Sequence, residues 1–119
     1  MKVLWFEPIG QPSRYNHDKN YAGTWQDSLE RIVRTVPEIE LYIAFLSDKY
    51  CDIKRDGNVT YIPILIKWSK FELKSGNYWY IYRNRIIPKA LEIVSQFKPD
   101  IIQVFGTEWP FGQIAKYTG

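Results

Sequence analysis

Short runs of β-branched and aromatic residues alternate along this chain with longer segments whose apolar residues recur at helical spacing. The short runs predict four strands, at residues 2–6, 40–46, 59–65 and 100–105. Amphipathic segments follow the first, third and fourth of these strands. This order predicts an α/β fold with a mainly parallel sheet. Right-handed crossovers would arrange the four strands side by side as 3-2-1-4.

The first predicted helix begins at Gly23 and Thr24 and ends before Pro37. Its apolar residues are expected to pack on the sheet, while its polar residues face solvent. The inner positions are Trp25, Leu29, Ile32, Val33 and Val36, and the outer positions are Gln26, Asp27, Glu30, Arg31 and Arg34. A second helix is predicted over residues 77–97, with a kink or a break at Pro88, and a last helix over residues 108–117.

Three segments lie where open α/β sheets hold their ligands, at strand carboxyl ends and helix amino ends. The polar loop after strand 1 contains Arg14 and His17, and His17 is either a solvated loop residue or part of a site. Gly23 either gives the helix a small entry residue or lets a phosphate or sugar approach closely. After strand 4, Thr107 and Glu108 either cap the last helix or bind a sugar hydroxyl. We expect these segments to line one cleft beside strands 1 and 4.

Composition limits the classes of function. A length of 119 residues suits one domain, and a net charge of +3 is too small to indicate nucleic-acid binding. Cys51 is the only cysteine, so neither an internal disulfide nor a Cys/His metal site is expected, and a reducing, cytoplasmic compartment is favoured. No apolar run is as long as a membrane span. The chain lacks both G-x-G-x-x-G and P-loop sequences, so NAD or ATP is not expected as a cofactor.

Basic and aromatic residues are interleaved over residues 66–85. One interpretation is a weak contact with an anionic membrane surface through Lys67, Lys70 and Lys74. The other is a core helix with a solvated basic face, and both interpretations stay open.

Three blocks of the sequence, "AGTWQDSLERIV", "ELYIAF" and "FKPDIIQVFGTEWPFG", resemble the amino-terminal domain of GT-B glycosyltransferases. More narrowly, they are similar to the retaining family 4, also called the glycosyltransferase group 1 family, over essentially all 119 residues. The resemblance implies a Rossmann-like, three-layer α/β/α domain on the acceptor side of a cleft. It also implies hexose transfer from a nucleotide-sugar donor to a glycan or lipid-linked acceptor, as in polysaccharide biosynthesis, with no metal or other cofactor.

The same resemblance suggests which residues bind each substrate. The family's glycine turn after strand 1 corresponds to Gly23 and Thr24, which would contact the donor phosphates. The acceptor side would include Gly106, Thr107 and Glu108 together with Arg14 and His17. The family's His-x-His-Gly sequence is replaced here by Gln103-Val104-Phe105-Gly106, so no catalytic residue is assigned.

On this interpretation residues 1–119 are a truncated amino-terminal half, the donor-binding domain lies outside the chain, and the chain alone is inactive. It would be cytoplasmic, peripheral to the inner face of the membrane. The incomplete sheet would leave an edge strand that favours self-association. The alternative is a self-standing α/β binding or protein-interaction domain without catalysis.

Overall fold

The computed structural model describes residues 1–7, 25–47, 52–66, 78–105 and 110–118. Five strands form one sheet: β1 (Lys2–Glu7), β2 (Glu40–Ser47), β3 (Lys54–Asp56), β4 (Val59–Leu65) and β5 (Ile101–Val104). The helices are α1 (Trp25–Arg34), α2 (Tyr78–Phe97) and α3 (Ala115–Thr118), and a 3-10 helix over Pro110–Ile114 directly precedes α3. The α/β class is confirmed, and each of the four predicted strands ends within one residue of its predicted position.

The strands are ordered β3-β4-β2-β1-β5 across the sheet. β4, β2, β1 and β5 are parallel neighbours, so that Trp5 of β1 lies opposite Ile43 of β2 and Gln103 of β5. These are the four predicted strands in their predicted order. The fifth strand, β3, is antiparallel to β4 and makes the sheet mixed.

β3 and the hairpin turn lie between the second and third predicted strands, at residues for which no strand is predicted. Asp56 pairs with Val59, so the turn consists of two residues, Gly57 and Asn58. Gly57 has a φ of 63°, which two-residue hairpin turns require at their first position and which glycine adopts without strain. Pro63 lies beyond the part of β4 that pairs with β3, where its missing N–H costs no bond to that strand.

One face of the sheet packs against α2. Phe6 of β1 and Ala44 of β2 are fully buried there, together with Ile86 and Ala90 of the helix. The 3-10 helix extends this core, since Phe111 stacks on Phe6 with the ring centroids 4.8 Å apart. Val94 and Phe97 of α2 pack against the same core, so the residues that the helix buries recur at helical spacing.

The sequence predicts either a kink or a break at Pro88. α2 continues through Pro88 as one helix, so the predicted break is wrong. Pro88 is exposed, and solvent can hydrogen-bond the carbonyl of exposed Asn84 that the proline leaves without its helical donor. The last predicted helix is, from residue 110 onward, a 3-10 helix followed by the four-residue α3. In the described ranges, none of the helices is long and apolar enough to cross a membrane.

The opposite face of the sheet carries a second apolar cluster, to which α1 contributes Val33 at the margin. Its buried members are Trp5, Leu41, Ile43, Phe45, Val59 and Tyr61. Phe105 packs edge-on against Trp5, with the ring centroids 5.3 Å apart. α1 therefore lies on the face of the sheet opposite to α2.

Asn58 in the hairpin turn ties this sheet edge to the end of α1. Its side-chain Nδ2 donates to the carbonyls of Val33, Val36 and Ile39 at 3.2, 3.2 and 3.0 Å. The carbonyls of Val33 and Val36 also accept the backbone amides of Val36 and Ile39, at 3.0 and 3.1 Å, in the turns that follow the helix. A single side chain thus caps the helix and positions the hairpin.

Candidate functional site

The side of α1 that faces the sheet carries polar side chains as well as apolar Val33. Gln26 and Glu30 are each 3% exposed, and Asp27 is also buried. Leu29 and Ile32, which the sequence predicts on the inner face, are 38% and 63% exposed. The prediction is therefore wrong for these five residues, whereas Val33 packs on the sheet and Arg31 is exposed, as predicted.

The sheet surface beneath α1 gives the physical reason. Side chains alternate between faces along a strand, so Glu7, at the end of β1, lies on the same face as Trp5 and is 2% exposed. Tyr61 lies on this face two strands away, on β4. Buried polar groups require polar neighbours, which the polar side of α1 provides. We call the six polar side chains between α1 and the sheet the polar cluster: Glu7, Gln26, Asp27, Glu30, Arg34 and Tyr61.

Three members of the polar cluster form a connected network. The Tyr61 hydroxyl donates to Oε1 of Glu30. Arg34 donates to the same oxygen from Nε at 3.2 Å and from Nη2 at 3.1 Å, and Nη2 also donates to the Tyr61 oxygen at 2.6 Å. Nη1 of Arg34 lies 3.4 Å from a carboxylate oxygen of Asp56. The network joins α1 to the β3–β4 hairpin through charge-assisted hydrogen bonds.

The environment of this network fixes the protonation of two groups. Burial raises the pKa of Tyr61, and the hydrogen bond to Glu30 and its negative charge raise it further. Burial lowers the pKa of Arg34, but the hydrogen bonds to Tyr61 and Glu30 outweigh this effect and raise the pKa overall. At physiological pH the phenol therefore keeps its proton and the guanidinium keeps its charge.

Glu7 is a carboxyl group that keeps its proton at neutral pH. Burial raises the pKa of Glu7 to about 8, and the negative charges of Glu30 and Asp27 contribute to the increase. A protonated carboxyl group offers one hydrogen-bond donor as well as acceptor oxygens. With a pKa near neutrality, such a group can also serve as a general acid or base.

The polar cluster lies in the part of the fold where α/β sheets usually bind ligands. Glu7 ends β1 at the carboxyl edge of the parallel strands, and β1 lies between β2 and β5. The chain goes from β1 through α1 to β2 on one side, whereas β5 is added on the other side, so β1 and β5 flank the topological switch point. The cluster is therefore the best candidate site within the described part of the chain.

The residues of the polar cluster are not among the site residues that the sequence predicts. Two signals could have identified them. Glu7 directly follows a strand-forming run, at the edge where ligands bind, and Gln26, Glu30 and Arg34 recur at intervals of four on one side of the helix. The assumption that an amphipathic helix buries its apolar side concealed the second signal.

Every site residue that the sequence predicts lies outside the described residues, as do the three lysines predicted to contact a membrane. They are Arg14, His17, Gly23, Thr24, Lys67, Lys70, Lys74, Gly106, Thr107 and Glu108. Phe105 is the described residue that directly precedes Gly106, Thr107 and Glu108. Its amide is 3.5 Å from the carbonyl of Phe6. Phe105 therefore lies beside the end of β1.

The described ranges contain no group of three His, Cys, Asp or Glu side chains arranged to hold a metal ion. In comparisons with known proteins, no family model matches this chain, and no curated protein or solved structure matches it.

Proposed function

We propose that this chain is the acceptor-side domain of a GT-B glycosyltransferase of the retaining family 4, with a Rossmann-like, three-layer α/β/α architecture. The order of the four parallel strands, β4-β2-β1-β5, supports this architecture. So does the placement of α1 and α2 on opposite faces of the sheet. The sequence resemblance supplies the choice of this family among the many that use such sheets.

The observation that carries the proposal is the polar cluster at the carboxyl end of β1. A sugar presents hydroxyl groups that each donate and accept hydrogen bonds, and protonated Glu7 together with Gln26 offers both functions. Burial of Gln26, Asp27 and Glu30 opposes folding, while Leu29 and Ile32 gain nothing from exposure. Residues whose placement disfavours folding are concentrated at functional sites. A sugar-binding site would account for the burial of these three polar residues.

In the proposed enzyme a nucleotide-sugar donor binds across the cleft from a glycan or lipid-linked acceptor. Gly23 and Thr24 contact the donor phosphates, and a second domain outside this chain supplies the rest of the donor site. The acceptor is bound by Gly106, Thr107 and Glu108, with Arg14 and His17. No metal ion or other cofactor takes part, and the 119 residues alone do not catalyse transfer.

The test is sugar transfer by the protein encoded in the full natural reading frame, assayed with a panel of nucleotide sugars and oligosaccharide acceptors. We expect transfer from at least one donor, and at least a tenfold loss of transfer in Glu108→Gln. Glu92→Gln is the matched control, because Glu92 is exposed on α2. Absence of transfer with every donor, or transfer by the isolated 119 residues, would contradict the proposal.

One observation favours the alternative, a binding or protein-interaction domain without catalysis. Leu29 and Ile32 form an exposed apolar pair on α1, and such patches mark contact surfaces. The edge strand β5 adds exposed Ile101, and the predicted self-association would use this edge.

Sedimentation velocity over a range of protein concentrations tests this alternative. Concentration-dependent association that Ile32→Ser removes, but that Ile53→Ser leaves unchanged, would support an α1 interface, since Ile53 is an equally exposed residue before β3. Association through the β5 edge would instead survive both changes. A monomer at all concentrations would contradict self-association.

The predicted membrane contact is a separate part of the proposal. Weak binding to anionic vesicles through Lys67, Lys70 and Lys74 would place the enzyme at the cytoplasmic face of a membrane. Reversing the three charges should abolish binding to anionic vesicles. Equal binding before and after the reversal would exclude the electrostatic mechanism.

A further inference from the structure

One buried amide nitrogen in the polar cluster is without a hydrogen-bond partner. The Nε2 atom of Gln26 is shielded from solvent and has no partner among the described residues, whereas Glu30, one helical turn later, is bonded by both Arg34 and Tyr61. Buried polar groups in proteins are almost always paired, because an unpaired donor keeps the full cost of its desolvation. Gln26 is thus positioned to donate to a group that the described residues do not provide.

Helix geometry places Gln26 over the end of β1. Gln26 and Glu30 are four residues apart, so both lie on the side of α1 that is turned to the sheet. α1 starts over the carboxyl edge of the sheet and runs back toward the amino end of β2, so its first turn lies over the edge that Glu7 occupies. Asp27 belongs to the same turn, and its charge acts directly on Glu7.

We infer that Glu7, Gln26 and Asp27 together bind two neighbouring hydroxyl groups of a sugar ring. The inference deepens the proposed function, on which the choice of a sugar as the ligand rests. The Gln26 amide donates, the Asp27 carboxyl group accepts, and the protonated Glu7 carboxyl group does both. Two neighbouring ring hydroxyls complement this set, because each of them donates one hydrogen bond and accepts others.

Other classes of ligand fit these side chains less well. An anion such as phosphate would approach the carboxyl groups of Glu7, Asp27 and Glu30, and the negative charge there would repel it. A divalent metal ion requires several convergent oxygen ligands, and the described residues contain no group of three such acidic side chains with the required arrangement. A metal ion would also leave the donor hydrogens of Gln26 unused.

The direct test uses the unmodified protein, the methyl glycosides of glucose, galactose and mannose, and tetrahydropyran as a ring that lacks hydroxyl groups. Side-chain amide resonances are followed by NMR during each titration. We expect at least one glycoside to shift the Gln26 Nε2 resonance saturably, while the resonance of exposed Gln96 on α2 does not move. Tetrahydropyran should leave both resonances unchanged.

A variant pair tests the same contact through affinity. Gln26→Leu keeps the side-chain volume but removes the amide, and it should weaken glycoside binding about tenfold, the effect of one lost hydrogen bond. Gln96→Leu should bind like the unmodified protein. Thermal melts of both variants show whether a loss of binding reflects a loss of folding, and the resonance shift in the unmodified protein stands independently of either variant.

The outcomes separate this inference from the proposed function. Glycoside binding that shifts other resonances and survives Gln26→Leu would overturn the inference and leave the glycosyltransferase proposal intact. If a glycoside shifts the Gln26 resonance saturably but the protein encoded by the full reading frame transfers no sugar, the sugar-binding inference stands and the glycosyltransferase proposal is wrong. If no glycoside moves the Gln26 resonance, as when a single bound water satisfies the amide, the inference is wrong, and the transfer assay alone decides the function.

Discussion

The Tyr61 hydroxyl on β4 donates a hydrogen bond to the Glu30 carboxylate on α1, across the interface where the helix meets the sheet. Arg34 donates both to the Tyr61 hydroxyl oxygen and to Oε1 of Glu30. These three mutually hydrogen-bonded side chains hold the helix to the sheet. An interface of this kind stabilises the fold only while every member is paired, because each unpaired member keeps its desolvation cost.

Tyr61→Phe keeps the ring and removes only the hydroxyl group. Buried Glu30 then loses one of its donors, and we expect the free energy of unfolding to fall by about 1.5 to 3 kcal/mol, the range for a hydrogen bond to a charged group. Urea denaturation measures the change. Tyr117→Phe is the control, since Tyr117 is exposed on α3 and its substitution should change stability by less than about 0.5 kcal/mol. Equal effects of the two substitutions would contradict this account.

Arg34→Met should be more damaging than Tyr61→Phe. It leaves the carboxylate of Glu30, which is 3% exposed, without its opposite charge, and breaking a buried pair in this way costs about 3 to 5 kcal/mol. Arg31→Met, an exposed neighbour on the same helix, is the matched control. The double variant with Glu30→Gln should recover part of the loss, because the stranded charge is then gone. Strict additivity of the two single changes would show that the pair does not interact.

Asn58→Ala should loosen the junction between α1 and the hairpin. Three carbonyl groups lose their shared donor, but those of Val33 and Val36 keep a backbone donor, so we expect a destabilisation of about 0.5 to 1.5 kcal/mol in thermal or urea unfolding. Asn58→Asp should be worse than Asn58→Ala, because it points a carboxylate at three carbonyl oxygens. Asn84→Ala, at an exposed position of α2, should be neutral or slightly stabilising, since alanine favours the helix. An aspartate variant as stable as the alanine variant would refute the capping role.

Glu7→Gln should change how stability depends on pH. The pKa of Glu7 is about 8 in the folded protein and 4.5 as its ordinary value, so between these pH values the folded state holds a proton that the unfolded state has released. Glu7 therefore lowers stability progressively as pH rises from about 4.5 to 8, and glutamine removes this effect. The variant should match the wild type near pH 4 and exceed it near pH 9 by up to about 5 kcal/mol.

The comparison requires urea denaturation of both proteins at several pH values, with Glu92→Gln as an exposed control. Since other titrating groups are common to all three proteins, only the difference between the curves matters. Parallel curves for Glu7→Gln and the wild type would mean that Glu7 ionises normally in the folded state.

Much of this fold is predictable from local patterns. β4 has the predicted boundaries because most of its residues are β-branched or aromatic, and the order of the parallel strands follows from right-handed crossovers. The hairpin turn also has a sequence signal, since Gly57-Asn58 is a typical two-residue turn, but the preceding strand has only three residues, all exposed. A strand that buries no side chain leaves no hydrophobic pattern in the sequence.

The candidate site was harder to predict, for a different reason. The amphipathic pattern of α1 predicts a helix with a polar and an apolar side, but it does not determine which side faces the sheet. That choice depends on Glu7 and Tyr61, which are distant in sequence and lie beneath the helix only after the strands have paired. Burial of Glu30 therefore follows from tertiary contacts and not from the helix sequence.

The polar underside of α1 also affects how the protein folds. Collapse is driven by apolar surface, and α1 contributes only Val33 to the apolar clusters of the described residues, whereas α2 contributes a full buried stripe. Hydrogen bonds of the kind made by Glu30 require an accurately placed partner, which exists only after β4 has joined the sheet. We therefore expect the sheet and α2 to form the folding nucleus, with α1 docking afterwards. In the native protein the α1 amides should then exchange with solvent through partial openings of lower free energy than those of β2, which hydrogen-exchange measurements can resolve.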